Sequence, residues 1–251
     1  MSTAKVFKTL DEQINILKEK GLIINDEAYT KEVLLRENYF FIMGYRHVFL
    51  KKDASRKFID GTTFDEVYSL FVFDRMFRNI IFKNILIVEN NYKSIFSYIL
   101  SKNYGFKEKN YLNPSNFDND KEKTRQINDL LRKVKRQFRV NGKQHGATSH
   151  YMDNYGYILV AETLEDVISF GLISEMFSIL KEEDKFSIAS VYKIEPEEME
   201  DYLPILANYR NLCAHEDVTF DHFTQRIIPD TKYHSILNIQ KIDGEYINGK
   251  N

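Results

Sequence analysis

Residues 64–100 read FDEVYSLFVFDRMFRNIIFKNILIVENNYKSIFSYIL. Leu70, Phe73, Phe77, Ile80, Ile81, Ile85 and Val88 recur there at intervals of three and four, the period of an α-helix with one apolar face. Asp74, Arg75, Arg78, Lys83 and Glu89 interrupt that face. The spacing predicts one long helix at the centre of the core.

Upstream, Thr9 followed by Glu12 forms a capping-box signature that opens a helix carrying Ile14, Ile16 and Leu17 and stopping at Gly21. Asn25-Asp26 can cap a second helix with Ala28, Val33, Leu34 and Leu35. Residues 38–50, NYFFIMGYRHVFL, are densely aromatic around Gly44, which suggests close packing or a bend. Residues 51–63 form a charged connection. Downstream, residues 104–120 read as a loop, 121–138 as a basic helix, and 139–156, RVNGKQHGATSHYMDNYG, as a second loop. Residues 162–180 read as a helix containing Gly171, followed by another to about Tyr192. Pro196 with Glu197, Glu198 and Glu200 suits a helix N-terminus, and the helix carrying Arg210 reads as the next one. Beyond Asp221 the signal fades, and residues 233–249 read as an extended tail or short strands.

The composition agrees with an all-α chain. Ten Gly and 4 Pro in 251 residues leave few breakers, and 43% hydrophobic residues are ample for a buried core. The formal charge of -2 requires any nucleic-acid surface to be a local patch. A single cysteine, Cys213, leaves no intramolecular disulfide and no cysteine-rich zinc site, as expected of a cytoplasmic protein. The opening residues are too polar for a signal peptide, and no apolar run reaches membrane-spanning length.

Chemistry concentrates in residues 203–221, LPILANYRNLCAHEDVTFD. Leu203, Leu206, Tyr209, Leu212 and Cys213 keep helical spacing, and Arg210, Asn211 and His215 follow near the helix's C-terminal end. Asn211 and His215 share a face at i, i+4. The long stem of Arg210 can bring its guanidinium round to the same groove. A fixed cation beside the one side chain type that titrates near neutral pH supplies the parts for metal-free phosphodiester cleavage. The bare Arg-to-His spacing is weak by itself, since Arg139 and His145 repeat it beside Gly142 and Gly146. His215 and Glu216, with Asp217, Asp221 and His222, lack the His-Glu-x-x-His spacing, so neither metal nor cofactor is expected. Cys213 reads as a small packing residue. The run Arg132, Lys133, Lys135, Arg136 and Arg139 can track RNA phosphates or form a solvated face, and Asp74, Arg75, Arg78 and Glu89 can line a cleft or pair within the core.

These motifs resemble those of the Abi-like abortive-infection proteins, a branch of the HEPN superfamily of helical ribonucleases. RNLCAH resembles the family's RN-x-x-A-H signature, NYFFIMGYRHVF its asparagine-aromatic-glycine-tyrosine motif, LFVFDRMFRNIIFKNILIVENNYKS its D-R-x-x-R helix with a downstream glutamate, and AETLEDVISFGLIS its glutamate-x-x-x-F-G segment. FKTLDEQINILKEKGLII resembles its N-terminal helix. The chain departs from the family where Tyr157-Ile158-Leu159-Val160 replaces a Pro-x-Trp step and where Lys93 stands for a common Arg.

The resemblance implies a HEPN-like helical bundle with an N-terminal helical extension. It divides the chain into an N-terminal segment at 1–63, a core at 64–225 and a tail at 226–251. It implies a metal-independent endoribonuclease of phage defence with Arg210, Asn211 and His215 as catalytic residues. Weaker RNA contacts fall to Arg75, Arg78, Arg132, Lys133, Arg136 and Arg139. The implied partners are an RNA substrate, a second copy in a homodimer, and an RNA or protein antitoxin, without a membrane. Two alternatives stand beside it: a non-catalytic RNA-binding helical module that holds a regulatory or antitoxin RNA, and a helical interaction protein.

Overall fold

The computed structural model describes residues 6–118, 120, 122–141, 146, 149–150, 154, 167–242 and 244–246. The fold is all-α, as the periodicity predicts. The chain divides into two compact units, Met1–Ile80 with Leu212–His222, and Ile81–Asn211 with Phe223–Asn251.

The first unit opens with α1, Leu10–Glu19. The Thr9 hydroxyl accepts from the Glu12 N–H and the Glu12 carboxylate accepts from the Thr9 N–H, so the capping box closes in both directions. Asp26 caps α2, Glu27–Glu37. Asn38 takes φ +67 and turns the chain into α3, Tyr39–Met43, capping it through the Phe40 N–H. At Gly44 the helix tightens into a 3-10 segment, Gly44–Phe49. A Cβ on Gly44 would stand 3.4 Å from Val218 Cγ2, about van der Waals contact, so of the two expected purposes the change of pitch is what this position shows. The beginning of α4, Phe64–Tyr104, completes the unit. Its core includes Ile14, Leu17, Val33, Leu34, Ile42, Tyr45, Phe64, Val67 and Phe71.

The second unit holds the remainder of α4, then α5, Glu108–Tyr111, and α6, Thr124–Asn141. It continues with α7, Phe170–Ser178, and α8, Glu182–Tyr192. Helix α9, Pro196–Ala214, belongs to it as far as Asn211. The tail adds α10, Lys232–Ile236, and a hairpin of β1, Lys241–Ile242, with β2, Glu245–Tyr246. Tyr92, Phe96, Leu131, Val134, Phe138, Ile173, Met176, Phe177 and Ile188 lie in the core of this unit.

The structure corrects four readings. First, only part of the apolar stripe of α4 faces inward: Ile85 is buried, and Leu70 and Ile81 are partly buried against the cores of their units, but polar residues share the inward face. Phe73, Phe77 and Ile80 are exposed, whereas Asp74, Arg78, Glu89 and Lys93 are buried beside Phe71, Ile85 and Tyr92. Burial is tolerable because each carboxylate meets a cation four residues on: Arg78 Nη1 to Asp74 Oδ2 at 2.8 Å, and Lys93 Nζ to Glu89 Oε1 at 2.7 Å. Second, residues 104–120 contain α5 and the 3-10 turn Pro114–Asn116 rather than a plain loop. Third, α6 runs through Arg139, Val140 and Asn141, and Gly146, Ser149, His150 and Asn154 are also helical; glycine costs a helix about 1 kcal/mol but does not forbid it. His145 and Gly142 lie outside the described residues. Fourth, Pro196 opens the same helix that carries Arg210, with Pro204 inside it. The predicted helix start at Glu162 lies outside the described residues, and α7 begins only after Ser169 caps the Leu172 N–H.

Candidate active site

In the second unit, α9 presents Arg210 two turns beyond the buried Leu203 and one beyond the buried Ala207. Arg210 Nε donates to Glu89 Oε2 at 3.2 Å, while the other oxygen of that carboxylate takes Lys93. Glu89 and Lys93 have side chains 3% exposed and Arg210 32%. The guanidinium carbon stands 6.0 Å from the centroid of the Phe82 ring. Arg210 is therefore held at its stem-side nitrogen, and its two terminal nitrogens make no hydrogen bond to another described residue. A guanidinium fixed in this way keeps its two-pronged edge for a phosphate. Asn211 is exposed on the same helix.

In the first unit, Leu212, Cys213 and Ala214 finish α9, and His215 stands exposed in the turn that follows. Glu216 is left-handed at φ +57. Its N–H donates to Cys213 O at 3.3 Å, and the Asp217 N–H to Leu212 O at 3.1 Å, which is the paired closure of a Schellman motif. The chain leaving that turn is pinned to a buried polar cluster. Asp74 Oδ2 accepts from Tyr45 Oη at 2.6 Å, Arg78 Nη1 at 2.8 Å and the Thr219 N–H at 2.9 Å. Arg78 Nη1 also donates to Tyr45 Oη at 2.7 Å and to Asp217 O at 3.2 Å. Burial, and then the bond to Asp74, push the Tyr45 hydroxyl far above its ordinary pKa, so it remains a donor. Asp74 Oδ1 and Arg78 Nη2 are buried without partners.

His47 provides a second tether. Its Nδ1 meets Gly44 O at 3.0 Å, its Nε2 pairs with Asp221, and its ring stacks on Phe220. Burial opposes the charged ring, but the bonds to Asp221 and Gly44 outweigh it, and the His47 pKa lies above the ordinary value. Cys213 is buried and its thiol pKa is raised by that burial, as suits packing.

The other sequence candidates separate. Arg78 belongs to the buried cluster just described. Arg75 grips Glu37 through both terminal nitrogens, at 3.2 and 2.5 Å, and lies over the Phe71 ring. Arg132, Lys133, Arg136 and Arg139 are exposed on α6, whose opposite face buries Ile127, Leu130, Leu131, Val134 and Phe138. Arg132 pairs with Asp129, and Lys133 with Glu175 at 3.4 Å.

Sequence reading assigned no role to Tyr45 or His47, because their partners lie 29 and 174 residues away. The spacing of acid and base four apart, Asp74 with Arg78, marks the buried pair that Tyr45 joins, but no local signal points to Tyr45 or His47. Among the described residues no group of three or more His, Cys, Asp or Glu is arranged to hold a metal ion, and no helix is long and apolar enough to cross a membrane.

Residues 32–221 match the family model described as Abi-like protein. No curated protein and no solved structure matches the chain.

Proposed function

We propose, from the premise that this chain belongs to the Abi-like protein family, that it is a metal-independent HEPN-type endoribonuclease acting in abortive infection. The observation that carries the reading is Arg210: it is fixed through Nε on the buried Glu89–Lys93 pair, its phosphate-gripping edge is left open, and Asn211 and His215 follow it in sequence.

In this mechanism an RNA 2′-hydroxyl attacks the adjacent phosphorus. A base takes the 2′ proton, Arg210 steadies the charged phosphorane, and an acid protonates the departing 5′ oxygen. The bond between phosphorus and the 5′ oxygen breaks, leaving a 2′,3′-cyclic phosphate and a 5′-hydroxyl. Each chain brings one His215, so a homodimer about a twofold axis supplies the two imidazoles that two proton transfers need. Asn211 orients His215 or bonds a phosphate oxygen. DNA lacks the nucleophile and is not cut. A toxic nuclease requires restraint, which assigns a further partner, an RNA or protein antitoxin.

A second reading, a non-catalytic module that holds a regulatory or antitoxin RNA, draws on the exposed cations of α6. Incubation of the purified chain with single-stranded RNA in EDTA separates the two. Cleavage with the named ends, lost in Arg210→Ala and His215→Ala variants of unchanged thermal stability, is the expected result. Tight binding without cleavage would leave the second reading instead.

A further inference from the structure

In the second unit, α6 and α7 face each other across a cleft of about 490 Å³. One face of α6 lines it with Lys133, Arg136, Gln137, Val140 and Asn141, and α7 contributes Ser169, Gly171, Leu172 and Glu175. Its walls are tied by the two amides. Gln137 Oε1 accepts the Ser169 N–H at 3.2 Å and Asn141 Nδ2 donates to Val167 O at 3.0 Å, so each amide keeps its other end for a ligand.

The charges of the lining leave a surplus of one. Lys133 is matched by Glu175, whereas Arg136 has no hydrogen bond or ion pair to another described residue. Gly171 adds access: a Cβ built there meets nothing within 4 Å, so the cleft does not need the missing side chain for packing, and the backbone beside Arg136 stays open. Val140 and Leu172 supply an apolar floor. A cleft with one surplus cation, amide donors and acceptors and a small apolar surface suits a singly charged phosphodiester with its sugar and base. A doubly charged terminal phosphate would leave one charge unanswered.

From this lining we propose that the α6–α7 cleft holds one nucleotide of an RNA strand, a strand-binding subsite apart from Arg210, with Arg136 on the phosphate. This assignment rests on the nuclease reading for its choice of RNA, and it goes beyond that reading's weak contact at Arg136 by giving it a cleft, a second wall from α7 and a single nucleotide to hold.

The test is binding of fluorescently labelled single-stranded RNA to the full chain carrying His215→Ala, which blocks cleavage, at several salt concentrations. Adding Arg136→Gln is expected to weaken binding about tenfold and to lower the slope of log affinity against log salt by about 0.7, the value of one phosphate contact on a single strand. Adding Gly171→Asp places a carboxylate in the open space of the cleft. It is expected to weaken binding at least as much while leaving the melting temperature unchanged or raised, because an anion favours the first turn of a helix.

Unchanged affinity and slope in both variants overturns the subsite even if the wild type cleaves RNA. Loss of binding in both, with a wild type that does not cleave, supports the subsite and removes the nuclease reading. Competition by a free nucleoside monophosphate at concentrations where RNA does not bind would also overturn the assignment, in favour of a small-molecule site.

Discussion

Arg210 and Glu89 are bonded to each other, yet their substitutions should differ in what they do to stability. Arg210 is partly exposed, and without it Glu89 still has Lys93. Arg210→Ala should change stability by no more than about 1 kcal/mol while lowering cleavage a hundredfold or more. Glu89→Gln removes a carboxylate that stands 2.7 Å from the buried ammonium of Lys93, so it should cost about 3 kcal/mol in urea unfolding as well as slowing cleavage. Tyr45→Phe removes one hydroxyl from the Asp74–Arg78 cluster and should cost about 1–3 kcal/mol in the same measurement. His47 contributes through its charged form. Its folded pKa is raised, so its contribution is fully present below the unfolded value near pH 6.5 and fades as pH rises through the folded value. Its pair with Asp221 is largely exposed and screened, so the stability gap between wild type and His47→Asn should be below about 1 kcal/mol at pH 5.5 and should vanish by pH 8.5.

At the scale of elements, the proposed chemistry rests on α4 and α9, and both depart from simple helical patterning. In the first unit, α4 turns Asp74 and Arg78 inward and leaves Phe73, Met76, Phe77 and Ile80 on the outer side. Asp217 and Thr219, the chain just beyond His215, bond to the inward pair and so lie on the side away from that apolar stripe. Helix α9 ends in a Schellman closure whose left-handed position is Glu216 rather than glycine. A side chain there costs about 1 kcal/mol. Glu216→Gly should therefore raise stability by about that amount in thermal unfolding without moving His215 out of its turn, and cleavage should stay within about twofold of wild type.

For the whole molecule the prediction concerns number of chains. A reaction with two proton transfers and one His215 per chain should require two copies. The solution mass should be twice 29.8 kDa, and the rate per chain should fall on dilution once the pair dissociates. A monomer that cleaves RNA at full rate at every concentration would remove the two-histidine mechanism.

The sequence by itself determined the helical class, because scarce glycine and proline and a period of three to four favour helices along most of the chain, the short β1–β2 hairpin apart. It also determined the capping box of α1, the turn at Gly44 and the run from Arg210 to His215, since caps, turns and adjacent residues are written in local spacing. It did not determine which side of α4 faces inward. Hydrophobicity pointed to Phe73, Phe77 and Ile80, but Asp74 and Arg78 can be buried only when Tyr45 and the backbone at Asp217 and Thr219 come to meet them. Hydrogen bonds between residues 29, 139 and 145 positions apart leave no trace in periodicity, and that is why only the tertiary structure decided what holds the chain just beyond His215.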